Sequence, residues 1–159
     1  MNITLQERTE ETVRIYFERA RQPFIRRMLP QKAKTVEEAL EDFRCTLLPD
    51  STSYGRTIYV DGRYVGDVWI YAIDRDDMPN AMLSYCIFAP DVQGCGIASE
   101  AVRSFLEEVT IRFELKTVGA FTYAENIASV RVLEKNDFVL KETFFEDDKR
   151  SYFYQRRSS

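Results

Sequence analysis

The spacing of apolar residues switches repeatedly between the two-residue period of strands and the 3.6-residue period of helices, and the switches divide the chain into elements. Ile3 to Arg8 reads as a short first strand. Thr9 stands as an N-cap, with Glu10 and Glu11 suited to the positive start of a helix and Val13, Tyr16, Phe17 and Ala20 as its buried stripe. Pro23 and Pro30 bracket a short helical turn that holds Phe24, Ile25 and Met28. Thr35 to Glu38 has capping-box spacing and opens a helix with Ala39, Leu40, Phe43 and Leu47 inward. A loop from Pro49 to Ser53 follows. Arg56 to Val60 and Tyr64 to Ile73 then flank Asp61-Gly62, a strong hairpin signal.

Asp74 to Asn80 makes the next turn, and Met82 to Phe88 is an apolar run of strand length. Ala98, Ala101, Val102, Phe105, Leu106 and Val109 recur at helical spacing. Leu115 to Tyr123 reads as a strand and Ile127 to Lys135 as a helix. Phe138 to Phe145 and Tyr152 to Tyr154 close the chain as a hairpin around Asp147-Asp148. The order β-αα-βββ-α-β-α-ββ describes an α+β fold: a mixed, mostly antiparallel sheet with helices on both faces. No linker, repeat or low-complexity tract interrupts it, so 1–159 reads as a single domain.

The junction after Phe88 carries chemistry. Gln93-Gly94-Cys95-Gly96-Ile97-Ala98 joins a strand to a helix start. Glycines there let the backbone approach a ligand closely, and the first helical N–H groups lack intrahelical partners. Those donors and the helix dipole favour a phosphate. The spacing is neither Gly-x-Gly-x-x-Gly nor a P-loop, since Cys95 separates the two glycines and no Gly-Lys-Ser or Gly-Lys-Thr follows. Taken alone, the loop is also compatible with a plain tight turn.

The pattern of Gln93, Gly96 and Ala98 resembles the pyrophosphate-binding loop of the GNAT N-acetyltransferases. About thirty residues further on, Asn126-Ile127-Ala128-Ser129 and Val132-Leu133-Glu134-Lys135 resemble the second coenzyme A element of the ribosomal-protein N-terminal acetyltransferase (RimJ/RimL-like) branch. Asn136-Asp137-Phe138 stands where relatives usually read Leu-Gly-Phe; aspartate tolerates the left-handed backbone better than most residues. The resemblance is sharp from about Tyr85 to Phe138. It implies a sheet splayed into a cleft and acetyl-coenzyme A as cosubstrate. The pyrophosphate would meet the backbone of Gln93, Gly94, Cys95, Gly96, Ile97 and Ala98, and the pantetheine amides that of Ile87, Phe88 and Ala89. Asn126 would hydrogen-bond the arm while also serving as an N-cap. The implied acceptor is an amine, peptide or small molecule, and a homodimer is compatible with such a domain.

Composition narrows the setting. The chain has 159 residues, enough for one domain to bury roughly 70% of its unfolded surface. No apolar run approaches the ~20 residues of a membrane span, and the N-terminus lacks the basic start and apolar centre of a signal peptide. Cys45, Cys86 and Cys95 are odd in number and unpatterned, which suggests neither a disulfide framework nor a metal site and fits a reducing cytoplasm. A net charge of −4 argues against general nucleic-acid binding. Arg14, Arg19, Arg21, Arg26, Arg27, Lys32 and Lys34 form a local basic run, read as a solvated face or as a contact for an anionic partner such as coenzyme A phosphates. With no histidine in the chain, an imidazole base is excluded.

Direct acetyl transfer needs a neutral amine beside the thioester and a proton for the departing thiolate. Ser129 matches the serine of the second element and lies one turn after Asn126. Many GNAT enzymes carry a tyrosine four residues later, where this chain has Leu133; Tyr123 is a reserve acid. The base is an open choice between Asp67, an isolated charge sharing a strand face with Val65, Trp69 and Tyr71, and an ordered water. Cys95 reads as a small loop residue and not as an acyl carrier. Aromatic and sulfur side chains at Tyr16, Phe24, Met28, Trp69, Tyr71, Tyr152 and Tyr154 are divided between core and acceptor pocket without a means of sorting them. A non-catalytic acyl-coenzyme A-binding module remains the alternative, on the missing carboxylate before Met82 and on Leu133.

Overall fold

Local chemistry sets where the helices and turns begin. Thr9 and Thr12 form a reciprocal cap at the start of α1 (Glu10–Arg19), with each backbone N–H donating to the other side chain. Pro23 opens the single turn of α2 (Pro23–Arg26), and Thr35 accepts from Glu38 N–H at the start of α3 (Val36–Thr46). The strands are β1 (Ile3–Glu7), β2 (Tyr54–Val60), β3 (Arg63–Asp74), β4 (Asn80–Ile87), β5 (Thr117–Tyr123), β6 (Val139–Glu146) and β7 (Lys149–Arg157). Two further helices, α4 (Ile97–Arg112) and α5 (Ile127–Lys135), lie in the second half. These elements belong to a computed structural model that describes residues 1–158.

Asp61 and Gly62 both take positive φ, and Val60 pairs with Arg63, so the β2–β3 turn is the two-residue hairpin expected. Asp147 and Asp148 do the same between β6 and β7. The expected first strand stops at Glu7, because Arg8 turns inward to an ion pair with Asp67. Leu47 is not inward but 68% exposed, since α3 ends at Thr46 and Leu47 is its C-cap.

All seven strands form one sheet in the order β1-β2-β3-β4-β5-β7-β6. Only β4 and β5 run parallel. Cross-strand partners share a face, which assigns each side chain to one side of the sheet. Tyr16 of α1 packs edge-on against Trp69, so Asp67 and Trp69 of β3, with their partners Cys86 and Ser84 of β4, face the N-terminal helices. Tyr54 stacks on Phe105 of α4, so Ile70 and Val68, with their partners Leu83 and Tyr85, face α4. The α4 stripe of Ala101, Val102, Phe105, Leu106 and Val109 is fully buried against that face. Each such side chain removed from water stabilises the fold by about 1.5–3 kcal/mol before entropy is counted.

Candidate functional site

The parallel contact between β4 and β5 is brief: Asn80, Ala81 and Met82 pair with Thr117, Val118 and Gly119, and beyond them the strands part. A cavity of about 440 Å³ occupies the gap. Its walls include Leu83 and Tyr85 from the α4 face of β4, and Ser84 and Cys86 from the opposite face. The cavity therefore passes through the sheet. Its α4 end is bordered by the glycine turn and by α5, and its other end by Phe24, Ile25, Met28 and Leu29 around α2. Gln22 Nε2 donates to Phe88 O at 3.0 Å and pins α2 to the end of β4.

Gly94 and Gly96 have φ of 75° and 78°, and a Cβ built at either meets nothing within 4 Å. The left-handed backbone, not crowding, selects glycine here. Gly96 is the N-cap of α4 and has no side chain to cap it, so the first N–H groups of this 16-residue helix are directed outward without a side-chain acceptor. Gln93 Nε2 donates to Ile87 O at 2.6 Å and closes the loop onto the strand. Gln93, Gly94, Gly96, Ile97 and Ala98 all line the cavity. Cys95 points away from it and is exposed, with Sγ 3.7 Å from Gln93 O.

Across the gap, Asn126 Oδ1 accepts from Ser129 N–H at 3.2 Å and caps α5. Asn136 at the far end of α5 is buried and donates to Ser99 O at 3.2 Å, which ties α5 to the first turn of α4. Asp137 then takes φ 67°, a left-handed conformation that glycine ordinarily fills. Asn126 and Ser129 line the cavity, as does Tyr85 opposite them. Burial pushes the Tyr85 phenol up to about 12, with the adjoining Ser129 hydroxyl acting in the other direction. The charged side chains on the lining are Arg131 and Lys135, one helical turn apart on α5, and no carboxylate joins them.

The other expected site residues lie elsewhere. Asp67 is 3% exposed and does not line the cavity; it sits behind Cys86, its cross-strand partner. Its Oδ1 accepts from the Tyr64 hydroxyl, and its Oδ2 lies 3.2 Å from Arg8 Nε in an ion pair without hydrogen-bond alignment. Burial raises the Asp67 carboxyl above its ordinary value, and Arg8 and Tyr64 recover only part of that cost. Phe88 is buried under Tyr16 and Tyr64, and its N–H donates to Val65 O at 2.9 Å, so its backbone is already engaged. Ala89 is likewise off the lining, while Ile87 is on it. Tyr123 faces Lys149, whose Nζ lies 4.7 Å from the ring centre, and is also outside the cavity.

The basic run from Arg14 to Lys34 is exposed and contributes nothing to the lining. Of the aromatic and sulfur candidates for the acceptor end, Phe24 and Met28 reach the cavity. Tyr16 and Trp69 pack against each other on the N-terminal face, and Tyr154 reaches Glu134 of α5 on the opposite face. Burial pushes the Cys86 thiol up to about 12 despite a hydrogen bond with Tyr16, which leaves it a poor nucleophile. Tyr85, Phe121 and Arg131 carried no distinguishing signal in the sequence, and Lys135 stood out only as the end of the Val132-to-Lys135 run.

A sheet opened between parallel neighbours over an uncapped glycine turn provides the cleft and the N–H donors that a transferase using a phosphorylated cosubstrate needs. The chain matches the family model described as acetyltransferase (GNAT) domain over residues 2–139, and it belongs to that family. Among solved structures, it resembles a spermidine N-acetyltransferase from Vibrio cholerae in complex with coenzyme A and spermine. That likeness has a TM-score of 0.85 at 17% identity, covering 98% of this chain and 95% of that one. An acetyltransferase from Salmonella typhimurium that modifies the N-terminal serine of ribosomal protein L7/L12 gives 0.83 at 18% identity, over 100% and 96% of the two chains. The aminoglycoside acetyltransferase AAC(6')-Ib with coenzyme A and kanamycin gives 0.81 at 16%, over 98% and 95%. No curated protein matches the chain. No helix among the described residues is long and apolar enough to cross a membrane.

Proposed function

We propose that this domain acetylates a primary amine, on a peptide N-terminus or a small molecule, by direct attack within a ternary complex. One observation carries the reading: a single cavity runs from the glycine turn at the start of α4, through the sheet, to the apolar wall at α2. Such a passage lets two reactants enter from opposite faces and meet between β4 and β5. Holding them there in attack geometry supplies most of the acceleration.

The residues fit acetyl-coenzyme A. The unpaired N–H groups from Gly94 to Ala98 suit a pyrophosphate, and Arg131 and Lys135 add positive charge beside it. Because Phe88 has its N–H engaged, the pantetheine amides would pair with the β4 edge between Leu83 and Ile87, where β5 has turned away, with Asn126 opposite. When bound, acetyl-coenzyme A supplies a thioester activated toward amines. Ser129 holds its proton at Oγ for the departing sulfur, and the Tyr85 hydroxyl orients it. With no carboxylate on the lining, water takes the proton from the amine; Asp67 serves as an internal anchor, and Tyr123 as a hairpin contact.

Free thiols at Cys45, Cys86 and Cys95 support a reducing, cytoplasmic setting. A second copy would dock on β6, exposed along most of its length and open at its outer edge. The same lack of a lining carboxylate, with Leu133 buried, favours as a second reading a module that binds acyl-coenzyme A without turning it over. Calorimetry with coenzyme A, followed by an acetylation assay on a panel of amines, separates the two. Binding with turnover is expected; binding without turnover on any amine supports the second reading, and no binding overturns both.

A further inference from the structure

The acceptor end of the cavity differs from its coenzyme end in charge and in surface. On one side stand Phe24, 38% exposed, and Met28, both around α2. On the other stands Phe121 of β5, 55% exposed. Phe121 faces the N-terminal helices because it follows Gly119, the partner of Met82, at the two-residue period of the strand. Two further rings support it: Phe153 at 5.2 Å between centroids and Phe144, edge-on, at 5.9 Å. Gly119 makes room for this cluster, since a Cβ there would come within 2.7 Å of Phe153 and 2.8 Å of the Met82 sulfur. Exposed aromatic rings on both sides of one opening are costly to leave in water and are explained by a partner that covers them.

Charge selects among partners. A polycation held at this opening would need carboxylates along the lining, and none is present. The acidic hairpin tip, Glu146 to Asp148, does not reach the cavity, and the charges nearest to Phe24 in sequence are the exposed Arg21, Arg26 and Arg27. A site of this kind leaves a second or third ammonium group without a counter-charge on the lining.

Resting on the acetyltransfer reading above, we infer that the acceptor is a monoamine whose amino group is borne next to an apolar, preferably aromatic, group, which Phe24, Met28 and Phe121 enclose. That chemistry belongs equally to a peptide beginning with an apolar residue and to a free aralkylamine. Polyamines and aminoglycosides are poor acceptors.

The test compares phenethylamine, a peptide beginning Phe-Ala, spermidine and kanamycin, first as ligands of the protein saturated with coenzyme A, by saturation-transfer NMR, and then as substrates. At least one of the first two is expected to bind, with kcat/KM at least tenfold above either polycation, and the better of the two identifies the source. Phe121→Asp is expected to abolish NMR transfer to the apolar amine, whereas Phe121→Leu retains it; residue 121 is a surface position, and an unchanged melting temperature reports that each variant is folded. Preference for a polycation, absence of transfer to either apolar amine, or equal binding to Phe121→Asp overturns the inference. Binding of the apolar amine without turnover leaves it standing and refutes only the catalytic reading.

Discussion

At the scale of single residues, the site rests on side chains whose roles follow from their neighbours. Ser129 sits at a capped helix start and lines the cavity opposite Tyr85, whose phenol burial pushes up to about 12. Ser129→Ala is therefore expected to lower kcat roughly hundredfold or more with coenzyme A affinity unchanged, since only the proton at the departing sulfur is lost. Steady-state kinetics with calorimetry checks this, and an unaltered kcat removes Ser129 from the chemistry. The Asn126-to-Ser129 spacing was readable because capping is local: donor and acceptor are neighbours in sequence. Tyr85 was not readable, because its meeting with Ser129 depends on how β4 and α5 close over a gap. Asp67 stood out as a lone charge on an apolar strand, but its partner Arg8 comes from the far end of the chain, and periodicity cannot supply a partner.

At the scale of elements, the glycine turn and α4 act as one unit. Gly96 caps the helix in a left-handed conformation that an L side chain enters at a cost of about 1–2 kcal/mol. Gly62 in the β2–β3 hairpin has nearly the same geometry, φ 83° with nothing within 4 Å of a built Cβ, but lies outside the cavity. Gly96→Ala and Gly62→Ala are thus expected to lose similar stability, about 1 kcal/mol or somewhat more, in urea denaturation. Only Gly96→Ala should also weaken coenzyme A binding, because its methyl projects beside the N–H donors. Equal affinities in the two variants would separate the turn from cofactor binding. Turns of this kind are legible because glycine and aspartate at positive φ mark them residue by residue. Strand ends were less so: β7 runs from Lys149 to Arg157, well beyond Tyr152–Tyr154, because pairing with β5 recruits polar residues that carry no apolar signal.

At the scale of the whole molecule, the element order gave the layers of the fold, while the divergence of β4 from β5, which makes the cavity, had no mark in the periodicity and was implied only by the resemblance of the glycine loop and the Asn126-to-Lys135 segment. Two carboxylates on opposite faces of this sheet are tuned in opposite directions. On the α4 face, burial alone would raise Glu108, but hydrogen bonds from Arg56 (2.9 Å) and Tyr54 outweigh it and hold the carboxyl below its ordinary value. On the other face, burial keeps the Asp67 carboxyl above its ordinary value. The linked stabilities have opposite signs. For Asp67 the native state binds its proton more tightly than the unfolded chain, so its contribution is present at low pH and lost as pH rises through the folded pKa. For Glu108 the unfolded chain binds the proton more tightly, so its contribution is present above the ordinary glutamate range and lost as pH falls through the folded pKa. On acidification from pH 7, the Asp67 contribution is regained over a window above that group's ordinary value, and the Glu108 contribution is lost over a window below its own. Asp67→Asn is expected to abolish the first component while destabilising the fold by about 3 kcal/mol, because Arg8 is left in the interior without its counter-charge. Glu108→Gln is expected to flatten the steep acid limb and leave the first component in place. Urea denaturation of the three proteins from pH 3 to 8 measures both slopes, and an acid limb as steep in Glu108→Gln as in the parent would show that the clamp between β2 and α4 does not carry it.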